Sequence, residues 1–339
     1  MIQANYKGVL FSFLLALPAF FLGSAFPIIG GPVFGILIGM IFHRLIQDKE
    51  TLQVGIRFTS SKVLQLAVIL LGFGLNLSVI FETGQESLPI IIATITISLL
   101  LAFLLQKALS IPTKTAVLVG VGSSICGGSA IAATAPVIDA DHKEIAQAMS
   151  VIFFFNVIAA ILFPWLGGVI GFDTTSGNAF GVFAGTAVND TSSVTAAAST
   201  WDSLHNLGFQ TLNKAITVKL TRTLAIIPIT MGLSIHRNQK EGTQSKLSIK
   251  KIVPTFILLF VAASIITTIL ASLKIEPEFF QNLKNLSKFF IIMAMTAIGL
   301  NTNIVQLIRT GSKPLLLGSV CWTGITSVSL LLQKILGIW

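Results

Sequence analysis

Three ionisable side chains lie in stretches otherwise apolar enough to cross a bilayer, and their types define the chemistry open to this chain: Asp190, Lys219 and Arg222. Of the thirteen acidic residues, Asp190 alone falls inside such a segment, the others lying in loops or at segment ends. A charge at membrane depth costs several kcal/mol unless it is hydrated or paired, which makes it a functional group by default. Lys219 and Arg222 are three residues apart and share a helix face. Lys214 precedes them near a segment end, where its ammonium can snorkel to the interface. Arg222 stands about 20 Å from His236 at the helical rise and cannot. A guanidinium at that depth suits a planar or tetrahedral oxyanion, and equally suits neutralising Asp190. Both roles stay open.

Around these charges the sequence breaks its own apolar pattern twice. The first break is Gly120-Val-Gly-Ser-Ser-Ile-Cys-Gly-Gly-Ser-Ala130. Ser123, Ser124 and Ser129 offer hydroxyl donors, Cys126 sits between the serine and glycine pairs, and Gly127 and Gly128 free backbone N–H groups at the start of a half-helix, an arrangement that binds anions. Close helix packing is the competing use of such small residues. The second break, Gly185-Thr-Ala-Val-Asn-Asp-Thr-Ser-Ser-Val194, supplies Asn189, Thr191, Ser192 and Ser193 around Asp190. An unwound backbone in a bilayer survives only beside protein or a watered cavity, so two breaks predict two halves of one site near the midplane.

The elements that position these groups are helices. Hydrophobic residues make up 53% of 339 and charged residues 10%, far from the roughly 25% of a soluble domain. The chain reads as one all-α transmembrane domain with no extramembrane module. Spans are expected near 8–26, 28–46, 61–82, 88–109, 113–138, 144–168, 177–200, 209–235, 250–273, 284–308 and 314–336, with 113–138 and 177–200 interrupted, either as broken spans or as re-entrant hairpins. Residues 8–22 follow Lys7 in the manner of a signal peptide, but the spans behind them favour a retained helix. The net charge of +9 collects in short loops, which reports topology and not nucleic acid. Basic clusters after the second and eighth segments place the N-terminus in the cytoplasm, the C-terminus outside, and the loops carrying Glu82, Glu86, Glu276 and Glu278 outside.

Segments 28–109 and 250–336 resemble one another. Ser61-Lys62, Gly74-Leu75-Asn76, Pro89 and Leu104-Leu105-Gln106-Lys107 recur in order as Ser287-Lys288, Gly299-Leu300-Asn301, Pro314 and Leu331-Leu332-Gln333-Lys334. Loop charges make the two copies run in opposite directions, the inverted repeat of secondary transporters. Asn76 and Asn301 are the matching amides, suited to supporting the breaks. Enzyme chemistry is not expected: His43, His142, His205 and His236 have no ligand spacing, the two cysteines form no metal cluster, and no phosphate loop or serine elbow occurs.

With Asp139 to Glu144 and Met149-Ser-Val-Ile-Phe, the first break closely resembles the sulfate exporter family of YeiH-like bacterial inner-membrane proteins, over essentially the whole length, and Gly185–Val194 matches too. More distantly, Cys126-Gly-Gly-Ser-Ala resembles the broken helix of bile-acid/sodium symporters, and Asn189-Asp190 is similar to the pair in some sodium/proton antiporters, although the second break here precedes the Ser287 repeat and does not follow it. The resemblance implies a secondary transporter of a small anion such as sulfate, sulfite or a sulfonate in a bacterial inner membrane. The alternative is a sodium or proton antiporter using Asp190. Expected partners are that solute and the bilayer, with a homodimer open, no nucleic acid, no metal and no cofactor beyond coupling to H+ or Na+.

Overall fold

Every regular element among the described residues is helical. The structure, a computed structural model, describes residues 2–26, 31–45, 49–73, 77–241, 255–272, 278–301 and 312–339. Its helices are α1 (Ile2–Ala25), α2 (Gly31–Leu45), α3 (Lys49–Phe58), α4 (Leu64–Gly72), α5 (Leu77–Leu109), α6 (Thr113–Ser124), α7 (Gly128–Thr134) and α8 (His142–Ile170). They continue as α9 (Asn178–Ala187), α10 (Thr191–His205), α11 (Gln210–Thr223), α12 (Ile226–Glu241), α13 (Thr255–Ser272), α14 (Glu278–Asn301) and α15 (Ser312–Ile335). A π-helical turn, Thr59–Val63, joins α3 to α4 without a break. Six described helical stretches are long and apolar enough to span a bilayer, so the chain is a multi-pass membrane protein.

The segment expected at 209–235 is divided at residues 224–225 between α11 and α12, and two expected boundaries differ as well. The helix expected at 61–82 begins at Lys49 and reaches only Gly72 before residues that are not described. The helix expected at 88–109 begins at Leu77 and carries Glu82, Glu86 and Pro89 within it, so the two glutamates ride on a helix and not a loop. A membrane helix tolerates proline where neighbours satisfy the freed carbonyl. Glu86 is acceptable there because the Lys214 ammonium and the Asn178 amide, 3.2 Å away, hold its carboxylate.

The helices form two bundles. In the first, α2 crosses α14 most extensively, with α1, α3, α4 and α13 around them. The crossing of α2 and α14 is backbone on backbone: a Cβ on Gly39 would lie 2.3 Å from the Thr296 carbonyl oxygen, and one on Gly299 would lie 2.2 Å from that of Ile36. Without a hydrophobic driving force between helices in lipid, such small-residue contacts supply the attraction. The second bundle comprises α5–α12 and α15, with α5 on α15 and α9 on α11 as its main contacts. Gly177, Gly181 and Gly185 repeat every fourth residue along α9, against Thr211, Lys214 and Val218 of α11. Between the bundles runs α10, whose Ala196 and Ala198 share a core with Ile36 of α2 and with Ala294 and Met295 of α14.

Candidate functional site

The glycine contacts of α9 fix the height of α11, and that brings Lys219 and Arg222 to the points where α6 and α9 end. Helix α6 stops at Ser124 and α7 starts at Gly128; α9 stops at Ala187 and α10 starts at Thr191. Each stop leaves carbonyls without helical partners in a place water does not reach. Arg222 donates from Nε to Ser124 O (2.7 Å), from Nη2 to Ser123 O (2.8 Å) and from Nη1 to Thr186 O (2.6 Å) and Val188 O (3.4 Å). Lys219 Nζ donates to Ile125 O (2.7 Å) and Val188 O (2.9 Å). Both side chains are fully buried. Each cation therefore joins the C-terminal ends of two helices, where the partial negative charge of the macrodipole favours it.

The breaks touch one another. Gly127 takes φ +68°, and its N–H donates to Gly122 O at 2.9 Å in a tight reversal. A Cβ there would stand 3.1 Å from that of Asp190, so a side chain would force the segments apart. Asp190 is the N-cap of α10: its carboxylate accepts from Ser192 N at 3.2 Å and from the Ser192 hydroxyl, and its own N–H donates to Asn156 Oδ1 at 3.2 Å. No lysine or arginine among the described residues lies within ion-pair distance of it.

One face of the contact opens on a cavity of about 460 Å³ between the bundles. From the second bundle come Gly128, Ser129, Ser150, Asp190, Thr191 and Ser192; from the first, Ser60, Ser61, Gln65 and Asn301, with Leu64, Phe153 and Phe256 among the apolar wall. Asn301 accepts from Gln53 Nε2 at 3.0 Å and donates to Ser60 Oγ at 3.3 Å, which holds its amide at the rim. Asp190 is the one ionisable side chain in that lining among the described residues.

The structure thus divides the residues singled out in the sequence. Gly128, Ser129, Asp190, Thr191, Ser192 and Asn301 line the cavity, and Gly127 supports it from behind. Ser123, Ser124, Cys126, Asn189, Ser193, Lys219 and Arg222 are buried away from it. Asn189 is 1% exposed with neither its amide oxygen nor its nitrogen hydrogen-bonded, and the Ser123 hydroxyl is likewise unpartnered. Asn76 lies outside the described residues. Sequence reasoning overlooked Gln65, Ser150 and the Ser60–Ser61 pair, although Ser61 was already marked by the repeat. Asp202 was also overlooked: it is buried and caps α11 by accepting from Thr211 N and Leu212 N, both at 2.9 Å.

A labelling prediction follows from the placement of Cys126. At 3% exposure and outside the lining, it should remain unreactive to a membrane-impermeant maleimide until the protein is denatured. A Ser129→Cys variant should react promptly in the native state. Mass spectrometry of both, before and after unfolding, checks this; prompt native labelling of Cys126 would contradict the geometry.

A family model described as conserved hypothetical protein 698 matches residues 7–318. Similar proteins include UPF0324 membrane proteins of Streptococcus mutans, 59% identical over 98% of both chains, and of Fusobacterium nucleatum, 57% identical over 98% of both. Another from Streptococcus agalactiae is 55% identical over the full length of both. The chain belongs to the conserved hypothetical protein 698 family, in company with the UPF0324 membrane proteins.

Proposed function

We propose that the protein is a secondary transporter in which Asp190 binds the coupling cation, a proton or sodium ion, at the meeting point of two interrupted helices. The observation that carries this reading is the charge of the cavity wall: its sole ionisable group among the described residues is a carboxylate, and the neighbouring cations point onto backbone carbonyls instead. Arg222 as the clamp of an oxyanion is therefore the weaker assignment, since its donors are already engaged. Helix pairing supports the inverted repeat. The first copy contributes α4 and α5, the second α14 and α15, and like packs with like, α4 on α14 and α5 on α15. Arg57 precedes the π-helical turn beside the cavity and Lys62 lies within it, which by the positive-inside rule opens the cavity to the cytoplasm of a bacterial inner membrane, with the N-terminus inside and the C-terminus outside.

A small anion such as sulfate, sulfite or a sulfonate remains the cargo favoured by the resemblance to sulfate exporters, and the hydroxyls of Ser129 and Ser150 supply donors for it. Such an anion meets an ionised Asp190. At 4 Å and an effective dielectric of 20, two like charges repel by about 4 kcal/mol, more than the about 1.5–3 kcal/mol of one charge-assisted hydrogen bond. The anion consequently enters with the cation that neutralises Asp190. In the antiporter reading the cation is itself the cargo. Proteoliposomes containing the wild-type protein separate these outcomes: flux driven by a pH or sodium gradient is expected, with sulfite or sulfate either moving with it or having no influence. Anion flux indifferent to both gradients would defeat the assignment of Asp190.

A further inference from the structure

Ser61 and Ser287 occupy equivalent places in the two copies and opposite environments in this structure. Ser61 lines the cavity. Ser287 is fully buried, and its hydroxyl donates to the carbonyl of Ala67, on α4 of the other copy, at 2.7 Å. The two also stand at different depths. Asn301, at the end of α14, bonds to Ser60 at the cavity, and Ser287 lies fourteen positions earlier on the same helix. At 1.5 Å per residue it is about 21 Å nearer the opposite membrane face.

Between the serine and the glycine the copies differ by one residue. Ser61 and Gly74 are thirteen positions apart, Ser287 and Gly299 twelve. The first copy carries the π-helical turn Thr59–Val63 where the second is an uninterrupted α-helix from Glu278 to Asn301. A π turn is how a helix absorbs one extra residue, and such turns cluster at functional sites. The copies are therefore the same helix in two forms, one opened at its serine toward the cavity and one closed over its serine.

We propose that Ser287 is a solute-lining residue of the alternate state: when the Asp190 site faces the opposite side of the membrane, Ser287 leaves the Ala67 carbonyl and borders the solute's path, while Ser61 becomes buried against α14. This rests on the transporter reading above and adds the residue that lines the second access route. The solute passing it is the one held at Asp190, and both serines offer it the same neutral hydroxyl.

The test uses the full-length protein with Cys126→Ser and Cys321→Ala, carrying either Ser61→Cys or Ser287→Cys, in sealed vesicles of each orientation. An impermeant maleimide is the probe. Ser61→Cys should label from the face on which the cavity opens, and Ser287→Cys from the opposite face alone. A gradient that drives the site toward that face should raise Ser287→Cys labelling and lower that of Ser61→Cys. If Ser287→Cys prevents insertion, Phe290→Cys, one turn along on the same side of α14, takes its place. Coupled flux together with a cysteine at 287 or 290 that never reacts from the opposite face overturns the assignment and leaves the role of Asp190 standing. Labelling from the opposite face without cation-coupled flux supports the second access route and removes the coupling role instead.

Discussion

Asp190→Asn will abolish gradient-driven flux while leaving the protein inserted and folded. The asparagine side chain keeps an oxygen to accept from Ser192 N, so the N-cap of α10 survives at a cost of a few tenths of a kcal/mol to about 1 kcal/mol. What it loses is the ability to bind a proton or attract a sodium ion, and among the described residues no other ionisable side chain lines the cavity to replace it. If an anion is cotransported, its binding should persist in the variant and lose its dependence on pH or sodium. If the cation is the cargo, calorimetry should show no cation binding at all. Unchanged coupled flux in proteoliposomes containing Asp190→Asn would exclude both versions.

Arg222→Gln will cost stability before it costs recognition. The guanidinium serves Ser123 O, Ser124 O, Thr186 O and Val188 O from a fully buried position, and of these only Val188 O has Lys219 as a second donor. A glutamine is shorter and has two donors on one nitrogen, so at least one buried carbonyl is orphaned, at about 1–3 kcal/mol each. Thermal unfolding in detergent should fall by several degrees, and less protein should reach the membrane fraction. Lys214→Gln, which removes one ion pair at a partly exposed position, should unfold close to wild type. A stable Arg222→Gln protein that has lost only anion binding would restore the oxyanion clamp expected from the sequence.

That contrast shows where sequence reading ends. The apolar periodicity, the glycine and serine interruptions and the isolation of Asp190 were all visible, because each is a departure from the composition that lipid demands. The direction in which Arg222 points was not. Its partners are backbone carbonyls, which every residue possesses and no sequence pattern marks. The start of the third span was hidden for a related reason: Lys49–Phe58 is polar enough to read as a loop, and it is helical because one face packs on α1. Ser61 was legible only as half of a repeat. The π-helical turn that aims it at the cavity left a single trace, the one-residue difference between the copies in the interval from serine to glycine.

On the transporter reading proposed above, the carbonyl clamp bears on how the protein moves. Arg222 and Lys219 tie the ends of α6 and α9 to α11, and the glycines of α9 and its N-cap bring its backbone against α11 along about two turns. Shearing the breaks past α11 would strip several charge-assisted hydrogen bonds at once in a dry interior, a barrier far above that of a small helix displacement. The crossing is therefore a payload and not a pivot: it travels as one rigid body with α11. On that reading the second bundle slides past the first along the alanines of α10 against α2 and α14, where small side chains meet without hydrogen bonds, in addition to the change at Ser287 within the first bundle. Substitutions that thicken that seam should slow turnover without altering what Asp190 binds.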